Sequence, residues 1–278
     1  MIRLALRVDR ADSELVLAEL IDLAPSGVEE RELDDGRIEF AVYGAAGELP
    51  ALPDLQVAAG GAIFEIVTEE LADDWAERWK AFHKPVTLTA GNRRLRVRPP
   101  WEAADDEADQ IDLVIDPGQA FGTGAHATTR LCLELLLALE PDGGCVDLGC
   151  GSGVLAIAAA KLGWQPILGV DHERESVEAT LLNAQANAVT VQARRFDLRR
   201  DGPAPGAPLV VANLLLPLLL ELSAAGFAGS QPQRLIASGL LSDQADQAAQ
   251  AFAREHGLRE VERQSSGEWS ALLLVREA

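Results

Sequence analysis

Apolar and polar residues alternate from the start of the chain: Ile2, Leu4, Leu6 and Val8 point one way and their neighbours the other. A period of two predicts a half-buried strand. From Ser13 to Leu23 the period becomes helical, with Leu15, Ala18, Leu20 and Ile21 on the apolar side. Asp12 is placed to cap this helix, and Pro25 and Gly27 to end it. Two strand-like runs follow, Val28 to Leu33 and Ile38 to Val42, around the turn Asp34-Asp35-Gly36, and Ala62 to Glu69 is a further strand. Strand, helix, paired strands and strand predict a small α+β unit of ferredoxin-like type. Asp73 to Phe82 reads as a capped amphipathic helix with Trp75, Trp79 and Phe82 on one stripe, a core or interdomain face. Pro85 to Val97 reads as strands on which Arg94, Arg96 and Arg98 share one face. Such a face is usually solvated; the alternative is that it touches RNA or an acidic surface. Pro99-Pro100 and the acidic stretch Glu102 to Asp109 mark an exposed connection.

From Ile111 the pattern becomes strands alternating with longer helices, the habit of a doubly wound parallel sheet. Helices are expected over Thr128 to Leu139, Val154 to Leu162 and Asp243 to His256. Strands are expected to end at Leu148 and to cover Pro166 to Val170, Val189 to Ala193, Leu209 to Ala212, Arg234 to Ser238 and Ala271 to Val275. The organisation is therefore read as an α+β unit over 1–70, a helix and connecting strands over 71–102, and a Rossmann-like α/β domain over 103–278. The longest apolar run, Leu209 to Leu220, is too short to span a bilayer and is broken by Asn213 and Pro217.

The 278 residues carry a formal net charge of -20, with a pI near 4.5. Such a surface repels bare nucleic acid and anionic membrane and favours basic partners, so neither nucleic-acid nor membrane binding is expected. The three cysteines, Cys132, Cys145 and Cys150, fit no zinc spacing, and no histidine cluster accompanies them. No metal site is expected, and buried free thiols suit a reducing compartment. The run Met1 to Val8 has charges among its apolar positions and no cleavage site, so it is read as a strand and the location as cytoplasmic.

Candidate chemistry begins at Val146-Asp147-Leu148-Gly149-Cys150-Gly151-Ser152-Gly153. A short strand carries an acid near its end, and a glycine-dense turn opens into an apolar helix. Asp171 closes the next strand, where an acid can accept from both hydroxyls of a ribose. Gly149 and Gly151 let the turn bend and let backbone approach a ligand. A dinucleotide site would need a glycine at position 154, where the chain has Val. The pattern D-x-G-x-G-x-G instead resembles the first motif of class I S-adenosylmethionine-dependent methyltransferases. In that reading Asp147 offers its carboxylate to the amino group of the cofactor's methionine part. Phe196 can stack on adenine and Asp197 accept from its exocyclic amine; an ordinary loop is the other reading of that pair. Asn213 is an amide amid aliphatics at a strand's carboxyl end, the edge where ligands bind in such sheets. The glycine-rich stretch Asp116 to Thr129 leads into a helix and can wrap a carboxylate or ribose.

Taken together, Asp116 to Thr129 (D-P-G-x-A-F-G-T-G-x-H-x-T-T), Asp147 to Gly153, Asp171 and Ala212 to Leu215 resemble the ribosomal large-subunit protein eleven methyltransferase family. Asp73 to Lys80 and Glu268-Trp269 add to the likeness. Ala125 and Ala127 flank His126 where the family usually has Thr and Pro, and Leu214 and Leu216 replace its Ile and Ala. The resemblance implies a class I methyltransferase domain behind an N-terminal domain that recognises the ribosomal protein. It implies S-adenosylmethionine as cofactor and methylation of lysine side chains or the N-terminal amine. It maps cofactor contacts onto Thr129, Gly149, Asp171 and Asn213. Another basic protein or a small-molecule amine is the alternative acceptor. Such chemistry needs an uncharged amine held in line with the methyl donor. Asn213 is expected to orient that amine with neighbouring carbonyls. No residue stands out as a general base: His126 is the best titratable candidate, but a loop histidine is more often structural or exposed, and Trp269 forms either a wall of the acceptor slot or core.

Overall fold

A computed structural model describes residues 2–13, 16–17, 20, 28–33, 35–44, 63–70, 83–105, 109–117 and 124–276. The chain divides into two compact units, Met1–Phe82 with Gly118–Phe121, and His83–Pro117 with Gly122–Ala278.

In the first unit, β1 (Ile2–Val8), β2 (Glu29–Glu32), β3 (Ile38–Gly44) and β4 (Ile63–Glu70) form a sheet of order β2-β3-β1-β4 with every neighbour antiparallel. This is the strand order of a ferredoxin-like sheet, as the sequence predicts. Register pairs Leu4 with Val42, Leu6 with Phe40 and Val8 with Ile38, so the alternating apolar residues share one face. Val16 and Leu20, in helical conformation, join that core. Asp12 stands directly before Ser13, the first residue in helical conformation. It lies inside a 3-10 turn, Arg10–Asp12, and Asp9 is the extended residue before it. The opposite face buries Glu39, 1% exposed, whose carboxylate accepts from Arg3 on β1, from Arg7 Nε at 2.9 Å and from Arg31 Nη2 on β2 at 2.8 Å. The stripe of Trp75, Trp79 and Phe82 lies outside the described residues.

In the second unit, β5 (Val86–Ala90) and β6 (Arg93–Arg98) form an antiparallel hairpin, and β7 (Gln110–Val114) runs parallel to β6. The sequence pattern placed the start of the main sheet at Ile111, but β7 stays with the hairpin. Leu88, Leu95, Val97, Leu113 and Ile115 of this small sheet belong to the same apolar core as Leu131, Leu135, Leu155 and Val211.

The chain continues through α1 (Ala127–Leu137), β8 (Cys145–Leu148), α2 (Val154–Leu162), β9 (Ile167–Asp171), α3 (Arg174–Ala186), β10 (Gln192–Arg195), β11 (Ala204–Gly206) and β12 (Leu209–Asn213). It ends with α4 (Leu216–Ala225), β13 (Phe227–Gly229), β14 (Arg234–Leu241), α5 (Ala245–His256), β15 (Leu258–Ser266) and β16 (Trp269–Arg276). Strands β11 and β13 pair by themselves. The other seven make one sheet, order β10-β9-β8-β12-β14-β16-β15, parallel except for β16, which runs antiparallel to both neighbours. Strands β8 and β12 are apolar on both faces because both faces are covered. Cys145, Leu209 and Val211 point into a core shared with α1 and α2, while Val146, Leu148, Val210 and Ala212 point into one shared with α4 and α5.

Five elements escaped the sequence pattern, among them the short strands β11 and β13. Helix α3 has a mixed surface, and α4 hides inside the apolar run, which Asn213 divides into strand and helix, with Pro217 in the helix's first turn. Strand β15 sits at the sheet edge and needs no apolar face; Val261, at its bulge, is exposed. The strand expected over Val189 to Ala193 begins at Gln192. Among the described residues no helix is long and apolar enough to cross a membrane.

Candidate functional site

Strand order reverses between β8 and β12, and the carboxyl ends of β8, β9 and β12 meet there. In open α/β sheets such a reversal leaves a crevice for a ligand. The glycine loop after β8 occupies it. Gly149, Gly151 and Gly153 all have positive φ, +74°, +51° and +81°, a backbone that a side chain would strain. The amides of Gly149 and Cys150 both donate to the Val170 carbonyl, at 2.8 and 3.0 Å, which folds the loop over the end of β9.

Two acids flank this loop. Asp171 is 7% exposed; its Oδ2 accepts from Gly151 N at 3.0 Å and its Oδ1 from Glu173 N at 3.1 Å. Asp147 is 1% exposed. Its Oδ2 accepts from Ala156 N in the first turn of α2 at 3.0 Å, while its Oδ1 is buried with no hydrogen-bond partner among the described residues. Burial pushes its carboxyl up to about 7; the Ala156 amide opposes this and the charge of Asp171 adds to it. A buried acceptor without a donor is costly, and a cation placed there would remove that cost.

Asn213 ends β12 opposite Ser238 of β14, and its Nδ2 makes a long 3.4 Å contact to Thr129 Oγ1 in the first turn of α1. Thr129 is 1% exposed. His126 precedes that turn and caps it: its Nδ1 lies 2.8 Å from Thr128 Oγ1 and accepts from Thr128 N. Its ring meets Trp269 edge to face, centroids 5.4 Å apart. His126 thus caps the helix, a structural role of the kind expected of a loop histidine. Phe196 is buried in the core against Val146, Leu148 and Val170, with the Arg194 guanidinium over its ring. Asp197 closes its own turn, accepting from Arg199 N at 2.9 Å and approaching Arg200 Nε at 3.4 Å.

Helix α3 supplies polar residues that sequence reasoning missed. Asn183 Oδ1 accepts from Asp116 N at 3.0 Å, and its Nδ2 donates to the Ser152 carbonyl at 2.9 Å. One buried amide therefore ties the root of the Asp116 to Thr129 stretch to the glycine loop. Thr180 Oγ1 donates to the Gly151 carbonyl at 3.0 Å, and Asn187 bonds both the amide and the carbonyl of Val114. The available signal was Thr180, Asn183 and Asn187 recurring at helical spacing on one side of an otherwise mixed segment. Two of the three strand arginines serve the fold. Arg98 Nε donates to both Asp112 oxygens, at 3.0 and 2.9 Å, and Arg96 Nη1 to the Ala103 carbonyl at 2.9 Å. The three cysteines are free and buried.

The reversed parallel sheet, the D-x-G-x-G-x-G loop at the reversal and the acid closing the next strand define a protein of the class I methyltransferase type. Comparison with known proteins narrows this. Residues 51–277 match the family model described as Ribosomal protein L11 methyltransferase (PrmA). A ribosomal protein L11 methyltransferase of Heliobacterium modesticaldum is 37% identical over 214 residues, 76% of this chain and 66% of that protein. Its namesake in Pseudomonas paraeruginosa is 39% identical over 214 residues, 76% and 71% of the two chains. The crystal structure of ribosomal protein L11 methylase from Lactobacillus delbrueckii subsp. bulgaricus superposes with a TM-score of 0.58 at 29% identity, covering 69% of this chain and 98% of that one. The chain belongs to the ribosomal protein L11 methyltransferase family.

Proposed function

We propose that this protein is an S-adenosylmethionine-dependent N-methyltransferase whose acceptors are lysine side chains or the N-terminal amine of ribosomal protein L11. The relatives named for that protein support the acceptor. The net charge of -20 suits a basic protein as substrate. The observation that carries the cofactor is Asp147 Oδ1, a buried acceptor without a donor beside a loop of positive-φ glycines. An amino acid's ammonium group fits that acceptor. Asp171 fits a ribose, with Gly149 and Gly151 giving backbone access between them. Thr129 and Asn213 complete the cofactor side, and Phe196 and Asp197 border the adenine end.

When bound, the cofactor would supply an activated methyl group on cationic sulfur, ready for displacement by an amine. The protein's part is to hold the amine uncharged and in line. The Asn213 amide oxygen accepts an amine N–H and aims the lone pair. Desolvation at the sheet edge favours the neutral amine, and its proton leaves to solvent. Residues 103–278 carry this chemistry, residues 1–70 recognise the ribosomal protein, and residues 71–102 connect them. A cytoplasmic location goes with such an acceptor.

The test is methyl transfer from labelled S-adenosylmethionine to purified ribosomal protein L11, read by intact mass. Gains in whole methyl increments are expected. Cofactor binding by calorimetry without any gain would move the acceptor to another basic protein or a small amine.

A further inference from the structure

Leu214 is gripped from two sides. On one side its N–H donates to the Ser238 carbonyl at 2.9 Å. There too, at Gly239, φ is +81°, and a Cβ would lie 2.5 Å from the Leu214 carbonyl oxygen and 2.7 Å from its carbonyl carbon. On the other side, a Cβ at Gly149 would lie 2.7 Å from Leu214 Cδ2. The two contacts differ in kind. Gly239 meets backbone, which cannot yield, and Gly149 meets the tip of a side chain, which can be shortened. Leu214 follows Asn213 directly, so its side chain lies between the amine-orienting turn and the glycine loop.

We propose that Leu214 is a positioning residue: its side chain, seated in the space left by Gly149, sets the separation between the glycine loop and the Asn213 turn. The inference rests on the methyltransferase reading above. Transfer in line is sensitive to placement, and a displacement of about 1 Å can cost about a hundredfold in rate. Glycine at 239 fixes the backbone of the turn, and the leucine tip fixes how far the loop stands from it.

A mutant cycle tests this. Leu214→Ala is expected to lower kcat about tenfold or more while calorimetry finds cofactor affinity within about threefold of wild type. Leu214→Met, which keeps a reaching tip, should retain most of the rate. Gly149→Ala should weaken cofactor binding, and adding Leu214→Ala should restore part of it, because the clashing tip is gone. Gly239→Ala should lower kcat with no recovery from Leu214→Ala. Leu214→Ala with unchanged kcat and only a lower thermal midpoint would make the residue mere packing. Additive losses at positions 149 and 214 would also overturn the proposal. The binding arm needs no acceptor, so a wild-type enzyme that binds cofactor yet leaves the ribosomal protein untouched counts against the acceptor alone.

Discussion

Each of the two units holds one carboxylate at 1% exposure in its sheet, and the two are treated in opposite ways. Glu39 in the four-stranded sheet and Asp147 in the seven-stranded sheet are each 1% exposed. Burial raises Glu39, but hydrogen bonds from Arg7 and Arg3 outweigh it and leave the carboxyl below its ordinary value. Asp147 has one backbone amide, no cation among the described residues, and a carboxyl pushed up to about 7 by burial. Burial alone therefore does not set the state of a buried acid; the count of donors does. Glu39 is satisfied by its own fold, whereas Asp147 is left one donor short at the edge where strand order reverses.

The largest expected effect breaks the satisfied side. Glu39→Ala should destabilise the N-terminal unit by about 2 kcal/mol, discounted because its arginines regain water, and should leave cofactor affinity alone. Denaturant unfolding and calorimetry read the two quantities separately. Asp147→Asn should do the reverse: cofactor binding weakens about tenfold, with no loss of cofactor-free stability at pH 8. Wild-type affinity for the mutant would refute a role for its carboxylate.

The pH dependences should also oppose each other. Glu39's folded value lies below its ordinary 4.5, so its contribution is present above that value and is lost as pH falls through the folded one. Asp147's folded value, about 7, lies above its ordinary 3.8, so its contribution is full below 3.8 and is lost as pH rises through about 7. Cofactor affinity should therefore rise with pH towards 7 and flatten, and Asp147→Asn should abolish the rise in a calorimetric series. The smallest effect concerns the thiols. Burial raises all three, Cys132 to about 12, so the native protein should resist thiol reagents until denatured.

The core strands of the main sheet were legible because strands buried on both faces read as short apolar runs between turns, as Val210 to Ala212 does. The glycine loop was legible because strand, turn and helix stand in order around Asp147. The rest was hidden for identifiable reasons. Strand β15 is nearly all polar because an edge needs no core face, and α4 is masked by the apolar strand preceding it. The division of labour between the oxygens of Asp147 follows from α2 folding back onto β8, which no local pattern encodes. The same holds for Asn183, whose partners lie 67 and 31 positions away.

That amide has a consequence for anyone who would transplant this site. The glycine motif looks portable, the seven residues Asp147 to Gly153 ready to graft onto another parallel sheet. Its Ser152 carbonyl, however, is held by Asn183, which also anchors the backbone at Asp116. A graft without the third helix would carry the motif's letters while losing the strut that joins its two loops. The glycine loop therefore travels only with the whole stretch from Val114 to Asn187, and the site needs the end of β12 besides.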